Sequence, residues 1–289
     1  MYIKAQNGWR RLSPKMFLQS VRLARVRLAR RGNMLKISLL HATYQNSTNP
    51  GFHRDSWLET AKNRERIQYI FAMNDNDETS LEATRGALRA VNHPKDEYST
   101  AVQNWNSAAA LADGDLLFVI SDDLHPPKWW DEQLEEIVGS RDPLNDNFVI
   151  KVTDGPSSEE TVLRHPIASR NYYEQYGLFD EDFRGVYCDS DFTLRALLFS
   201  NILDGRTIKF LHAHPHFDRS IEETPSQIKI NDKKEYELGK KLFNKKWSPV
   251  QFGLTLNRLP LGKGQGIFPF TKQLRKAIIT VRRKLRPNW

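Results

Sequence analysis

Residues Gln103–Asp123 read QNWNSAAALADGDLLFVISDD, and the reading of this stretch decides the fold. Thr100–Ala112 is rich in alanine and free of Gly and Pro, which predicts a helix, and Asp113-Gly114 stops it. Leu116–Ile120 (LLFVI) is an unbroken apolar run of strand length. Without polar alternation it suits a strand covered on both faces, as in a parallel sheet. The run leads straight into Ser121-Asp122-Asp123.

The alternation continues outward from there. On the N-terminal side, Lys36–Tyr44 (KISLLHATY) predicts a buried strand, His53–Arg66 a helix, and Ile67–Met73 (IQYIFAM) a second strand opening into Asn74-Asp75-Asn76-Asp77. On the C-terminal side the pattern predicts a helix over Trp129–Val138, strands over Phe148–Thr153 and Thr161–Leu163, and a helix over Asp191–Phe199. A strand over Thr207–Leu211 then leads into His212-Ala213-His214-Pro215-His216. Alternating strands and helices predict an α/β chain with a doubly wound, mostly parallel sheet, in which ligands bind beyond the carboxyl ends of the strands.

The ends differ from this middle. Ser13–Arg31 predicts a helix with Ser13 as cap and Pro14 in the first turn, and Gly32-Asn33 ends it. From Ile221 the pattern is helical and then irregular. Gly262, Gly264 and Gly266 form a loop before a basic helix near Thr271–Leu285. The organisation expected is a basic N-terminal helix (1–33), an α/β domain (34–218) and a helical, irregular basic extension (219–289).

Charge follows the same division. The chain of 289 residues carries a formal net charge of +8, but Met1–Arg54 holds 11 Lys/Arg and Leu238–Trp289 holds 13, and neither contains an acid. All 35 acids therefore fall in Asp55–Glu237, against 19 bases. Basic ends of this kind suit an anionic membrane surface or, less well, nucleic acid. With 39% apolar residues the chain is neither disordered nor collagen-like. Cys188 is the only cysteine, which excludes an internal disulfide framework. No apolar run reaches membrane-spanning length, and the first residues lack a secretory signal. The expectation is a cytoplasmic protein, peripheral at the membrane if its ends dock there.

The acidic centre needs its own account. Adjacent carboxylates at a strand end repel one another, and a divalent cation relieves that cost while leaving positions for phosphate oxygens. Asp75 ends the preceding strand, Asp189 and Asp191 begin a later helix, and the His212/His214/His216 group offers imidazoles. Alternate residues of a strand share a face, although Pro215 disfavours a regular strand there. Two histidines two residues apart also suit a hydrolytic zinc site. No phosphate-loop spacing, Gly-x-Ser-x-Gly or His-Glu-x-x-His is present.

Over Met34–Asp218 the sequence resembles the family 2-like nucleotide-sugar glycosyltransferases of GT-A fold, through four blocks in family order. These are Ile37–Asn46 (ISLLHATYQN), Met73–Asp77, Gln103–Asp123 and Gly185–Arg195 (GVYCDSDFTLR). The resemblance implies a Rossmann-like GT-A sheet and transfer of one sugar from a nucleoside diphosphate sugar to an acceptor hydroxyl with inversion. It implies donor contacts at Thr43, Tyr44, Asp75, Asn106 and Asp122, and Mn²⁺ or Mg²⁺ held by Asp123 with His212 or His214. Asp189 would be the base, with Asp191 the second choice and helix capping its alternative role. His165–Tyr173 falls where the family binds acceptor, and Arg170 could meet an anionic group there. The sequence departs from the pattern in having Ile120 and Cys188 where relatives often carry acids, and in lacking Gln-x-x-Arg-Trp. The basic ends suit a lipid-linked or envelope glycan as acceptor. A transferase acting on nucleic acid, a metal-dependent hydrolase using the His-x-His pair, and a non-catalytic basic binding protein are the alternatives.

Overall fold

The structure is a computed structural model and describes residues 2–5, 8–11, 35–45, 50–94, 101–160, 162–223, 227–228 and 232–247. The chain divides into two compact units, Met1–Leu35 and Lys36–Trp289. In the first, β1 (Tyr2–Ala5) and β2 (Gly8–Arg11) form an antiparallel hairpin. The helices expected over Ser13–Arg31 and near Thr271–Leu285, and the glycine loop between Gly262 and Gly266, lie outside the described residues.

The second unit begins with β3 (Ile37–Ala42), α1 (Pro50–Thr60), β4 (Ile67–Asn74), α2 (Glu78–Ala83), β5 (Arg89–Asn92), α3 (Ala101–Leu111) and β6 (Leu116–Ile120). It continues with β7 (Leu124–His125), α4 (Trp130–Val138), β8 (Phe148–Thr153), β9 (Ile167–Ser169) and α5 (Arg170–Tyr176). Last come α6 (Cys188–Phe199), β10 (Asn201–Lys209), β11 (Leu211–His212) and α7 (Lys233–Trp247). Seven strands form one sheet in the order β10-β8-β9-β6-β3-β4-β5. β6, β3, β4 and β5 run parallel, β10 is parallel to β8, and β9 is antiparallel to both its neighbours. The doubly wound, mostly parallel sheet with flanking helices is as expected.

The quoted stretch organises this sheet. All five residues of β6 are buried, and α3 turns Val102, Ala108 and Ala109 inward toward β3 and β4. Between them, a Cβ at Gly114 would stand 2.6 Å from the main-chain nitrogen and hydroxyl of Ser38, so the turn needs glycine. Its N–H donates to Ser38 Oγ at 2.9 Å, and Asp115 accepts from the Lys36 N–H at 3.0 Å. These bonds set the register of β6 on β3, and with it the position of Asp122-Asp123 beyond the sheet.

The strand expected at Thr161–Leu163 forms instead at Ile167–Ser169. Side chains hold the earlier stretch: Thr193 Oγ1 accepts from the Leu163 N–H at 2.9 Å, and the Val162 carbonyl accepts from Lys151 Nζ at 2.9 Å. In α7, Phe243 and Trp247 join the apolar cluster of Leu178, Phe183 and Phe192. Among the described residues, no helix is long and apolar enough to cross a membrane.

Candidate active site

Strands β3, β4 and β6 all deliver polar residues to one edge of the sheet. β7 follows Asp123 directly and pairs antiparallel with β11, with His212 opposite Leu124, so strand pairing carries His212 to Asp123. The Ala213 N–H donates to the Asp123 carbonyl at 2.8 Å, and His212 Nε2 lies 3.2 Å from Asp123 Oδ2. His165, in the connection before β9, completes the group. One ligating atom from each of Asp123, His165 and His212 lies within 4.8 Å of the others.

Both imidazoles are oriented by one residue. Asp154, at the end of β8, takes His212 Nδ1 on its carbonyl at 3.1 Å and His165 Nδ1 on its carboxylate at 3.3 Å, and it also accepts the His165 N–H at 2.9 Å. Lys151 Nζ, itself buried, answers the Asp154 charge at 2.8 Å. With Nδ1–H given to Asp154 in each ring, both Nε2 atoms carry lone pairs turned toward Asp123. Ser121 Oγ touches the Asp123 carboxylate and lies 2.9 Å from His165 Nε2, but one hydroxyl proton serves only one of these acceptors. Converging acceptors in excess of donors, held by an outer carboxylate, fit a divalent cation.

Unligated, His212 answers Asp123 with an Nε2 proton that a bound cation would displace. Burial would raise the Asp123 carboxyl, yet hydrogen bonding and charge from His212 and the Ser121 hydroxyl hold it well below the usual carboxylate range. Burial likewise lowers His212, but Asp123 outweighs it and raises that imidazole above its ordinary value. Burial keeps His165 lowered, with the neighbouring His212 adding to the effect against Asp154. Gln227 donates to Asp123 Oδ2 at 2.7 Å, a contact that nothing in its local sequence announces.

The remaining expected residues divide. Asp122 joins the site edge, accepting from His41 Nε2 at 2.8 Å and from Thr43 Oγ1 at 3.2 Å. Tyr69 donates its hydroxyl to His41 Nδ1 at 2.7 Å. Burial and the Asp122 charge raise the Tyr69 pKa well above its ordinary value, which keeps the phenol a donor and His41 turned to Asp122. Tyr44, partly exposed, follows Thr43. Asp75 is exposed beyond β4, 2.8 Å from His93 Nδ1. Asn106 spends its amide inside the fold, donating to the Phe179 carbonyl at 2.9 Å and accepting the Phe179 N–H at 3.0 Å.

Asp189 opens α6 partly exposed, and burial raises its pKa against the bond from the Ser190 N–H and the charge of Arg164. Asp191 is placed differently: it is fully buried, with Arg195 Nε, Trp247 Nε1 and Lys246 Nζ each 2.8 Å from its oxygens. That enclosure corrects the second choice of base, because no acceptor hydroxyl reaches it. His214 is corrected as well. Its Nδ1 accepts the His216 N–H at 3.0 Å, and it lies outside the group of three, where His165 stands instead. Arg170 donates to the carbonyls of Gly114 and Ala112, at the opposite end of β6 from the site. Trp130 is core, while Trp129 is exposed between Lys62 and Lys128.

No protein-family model and no curated protein matches the sequence. Among solved structures, the chain is similar to residues 1–349 of TarS from S. aureus, at 14% identity over 76% of this chain and 76% of that one, with TM-score 0.50. The complex of the same protein with UDP-GlcNAc aligns at 13% identity over 87% and 80%, also with TM-score 0.50. At such identities the likeness establishes the fold, and the chain has the GT-A fold.

Proposed function

We propose that this protein is a metal-dependent glycosyltransferase that moves one sugar from a nucleoside diphosphate sugar to an acceptor hydroxyl with inversion. The observation that carries the reading is the convergence of Asp123, His165 and His212 beyond β6, where a GT-A sheet meets its ligand. The complex of TarS with UDP-GlcNAc supports a nucleotide sugar as donor. Mn²⁺ or Mg²⁺ held by these three residues would supply positive charge to balance the charge that develops on the leaving diphosphate. Asp154 and Lys151 keep the imidazoles in their ligating tautomer, and His41 keeps Asp122 aimed at the same edge. Thr43, Tyr44 and Asp75 line the side for the nucleoside.

Asp189 receives the proton of the attacking hydroxyl. Burial makes its carboxylate more basic than an exposed one, the direction that proton abstraction near neutral pH requires. The bond from the Ser190 N–H and the charge of Arg164 oppose that rise. The acceptor is a lipid-linked or envelope glycan and the protein cytoplasmic, docked at an anionic membrane surface. This rests on the acid-free basic ends. Deleting residues 1–31 then weakens association with anionic vesicles, and unchanged association removes that part.

The test of the whole is a panel of UDP- and GDP-sugars, each measured for thermal stabilisation with and without Mn²⁺. One donor raising Tm only with the cation supports the reading, and no shift with any pair overturns it. The donor set of two imidazoles and one carboxylate also favours a metal-dependent hydrolase. Consumption of the stabilising donor at full rate without any hydroxyl acceptor but water decides for that alternative.

A further inference from the structure

The turn that presents Asp189 is strained, and a later helix holds it. Tyr187, at the N-cap of α6, has a left-handed backbone (φ 68°, ψ 0°), and its side chain makes no capping bond. A bulky residue adopts that region only where its surroundings impose it. The surroundings here are α7. Gly239 lies so close that a Cβ on it would stand 2.6 Å from the Val186 carbonyl oxygen and 3.3 Å from the Tyr187 ring. Tyr187 donates its hydroxyl to Tyr236 at 3.1 Å, and its ring packs on Tyr236 and Phe243 with centroids 5.4 and 5.5 Å apart. Arg184 Nη1 pairs with Glu235 Oε1 at 3.1 Å.

The same helix grips the other side of Asp189. Lys246 reaches Asp180 and Asp191, and Trp247 donates to Asp191. Asp189 thus stands between two anchored neighbours, Tyr187 and Asp191, with one carboxylate oxygen held by the Ser190 N–H at 2.6 Å. Arg164 and Asp154 are the charged groups that act on it from that side.

We propose that α7 is the positioning element of the base, with Tyr236, Gly239 and Phe243 holding the strained Tyr187 turn that aims Asp189 at the acceptor. The inference rests on the reading of Asp189 as proton acceptor and adds that its aim depends on a helix beyond the sheet. A base shifted by an ångström loses rate while the donor and cation site, on other elements, stays intact.

The experiment compares full-length Gly239→Ala and Tyr236→Ala with the parent, using the donor selected by the panel and following release of its nucleoside diphosphate. Gly239→Ala is expected to lower kcat about 10- to 100-fold with donor KM and cation-dependent thermal stabilisation unchanged. Tyr236→Ala, on the exposed side of α7 and favourable to the helix, is expected to act in the same direction with a smaller loss. Tyr236→Phe, which keeps the ring contacts, restores most of it. Two folded variants with parental kcat overturn the inference, as does a loss that appears equally in donor KM. Asp189→Asn separates the two ideas: parental kcat in that variant overturns the base itself. A large loss there beside an unaffected Gly239→Ala overturns only the role of α7.

Discussion

Asp123 and Asp191 are both enclosed carboxylates, and they differ in what answers their charge. Asp191 faces the permanent cations Arg195 and Lys246 and the indole N–H of Trp247. Asp123 faces a hydroxyl, an amide and an imidazole, none of which carries a fixed positive charge. The first is neutralised within the fold, while the second keeps its charge for a visitor. Asp154 joins the two types, since Lys151 neutralises it while its remaining capacity orients His165 and His212. Burial alone would class the three together, and the identity of the partners separates support from site.

Substitution at each of the two aspartates should break different properties. Asp191→Asn leaves Arg195 and Lys246 facing a neutral amide, and removing one partner of a buried pair costs about 3–5 kcal/mol. The unfolding free energy should fall by that order, read as a lower urea midpoint, with cation-dependent donor stabilisation retained by the folded fraction. Asp123→Asn should abolish the cation-dependent shift, while its cation-free midpoint falls less than that of Asp191→Asn, because no permanent cation is left facing the amide. Equal midpoints for the two variants would erase the distinction.

The next effect is smaller and sharpens the joint between the regions. Outer partners of ligating histidines are worth about 10- to 100-fold in metal affinity, so Asp154→Asn should weaken Mn²⁺ binding in calorimetry by that factor. His165→Ala should weaken it at least as much. His214→Ala should stay within about twofold, as for a surface side chain worth no more than about 0.5 kcal/mol. A result in which His214 matters and His165 does not would return His214 to the cation site in place of His165.

What was legible in the sequence was local. LLFVI followed by Ser121-Asp122-Asp123 gave strand, edge and carboxylates, because apolar continuity and the Asp113-Gly114 stop are written within a few residues. That Asp189 and Asp191 differ in burial was not legible, since the enclosure of Asp191 depends on Trp247 and Lys246 from a distant helix. His165 escaped for a similar reason. It lies in a stretch without regular structure and is brought to Asp123 by its bonds to Asp154 and Ser121, both distant in sequence. Strand alternation does not separate His214 from His212, but β11 ends at His212 and the chain then turns. The resemblance that sets Arg170 in an acceptor stretch does not say which end of β6 its guanidinium meets.

His53 offers a third case beside the two aspartates: a buried polar group with nothing to answer it. It is 5% exposed between His41 and His125, and neither ring nitrogen has a hydrogen-bond partner among the described residues. Burial, helped by His41 and His125, lowers its pKa from 6.5 to about 3. The unfolded chain therefore binds a proton below about pH 6.5 that the fold refuses, so stability falls with acidification by up to about 1.4 kcal/mol per pH unit. Asp154 and Asp123, lowered by their partners, lose stability only where unfolded carboxyls begin to protonate, below about pH 4. The two kinds of group thus act in separate windows. His53→Phe keeps the ring packing and removes both unpaired nitrogens, each of which costs about 1–3 kcal/mol if unmet. Its urea midpoint should equal or exceed the parent's at pH 7 and fall less steeply between pH 6.5 and about 4, with the steep loss below that range unchanged. An identical slope in parent and variant across the upper window would show that acid sensitivity there belongs to other histidines.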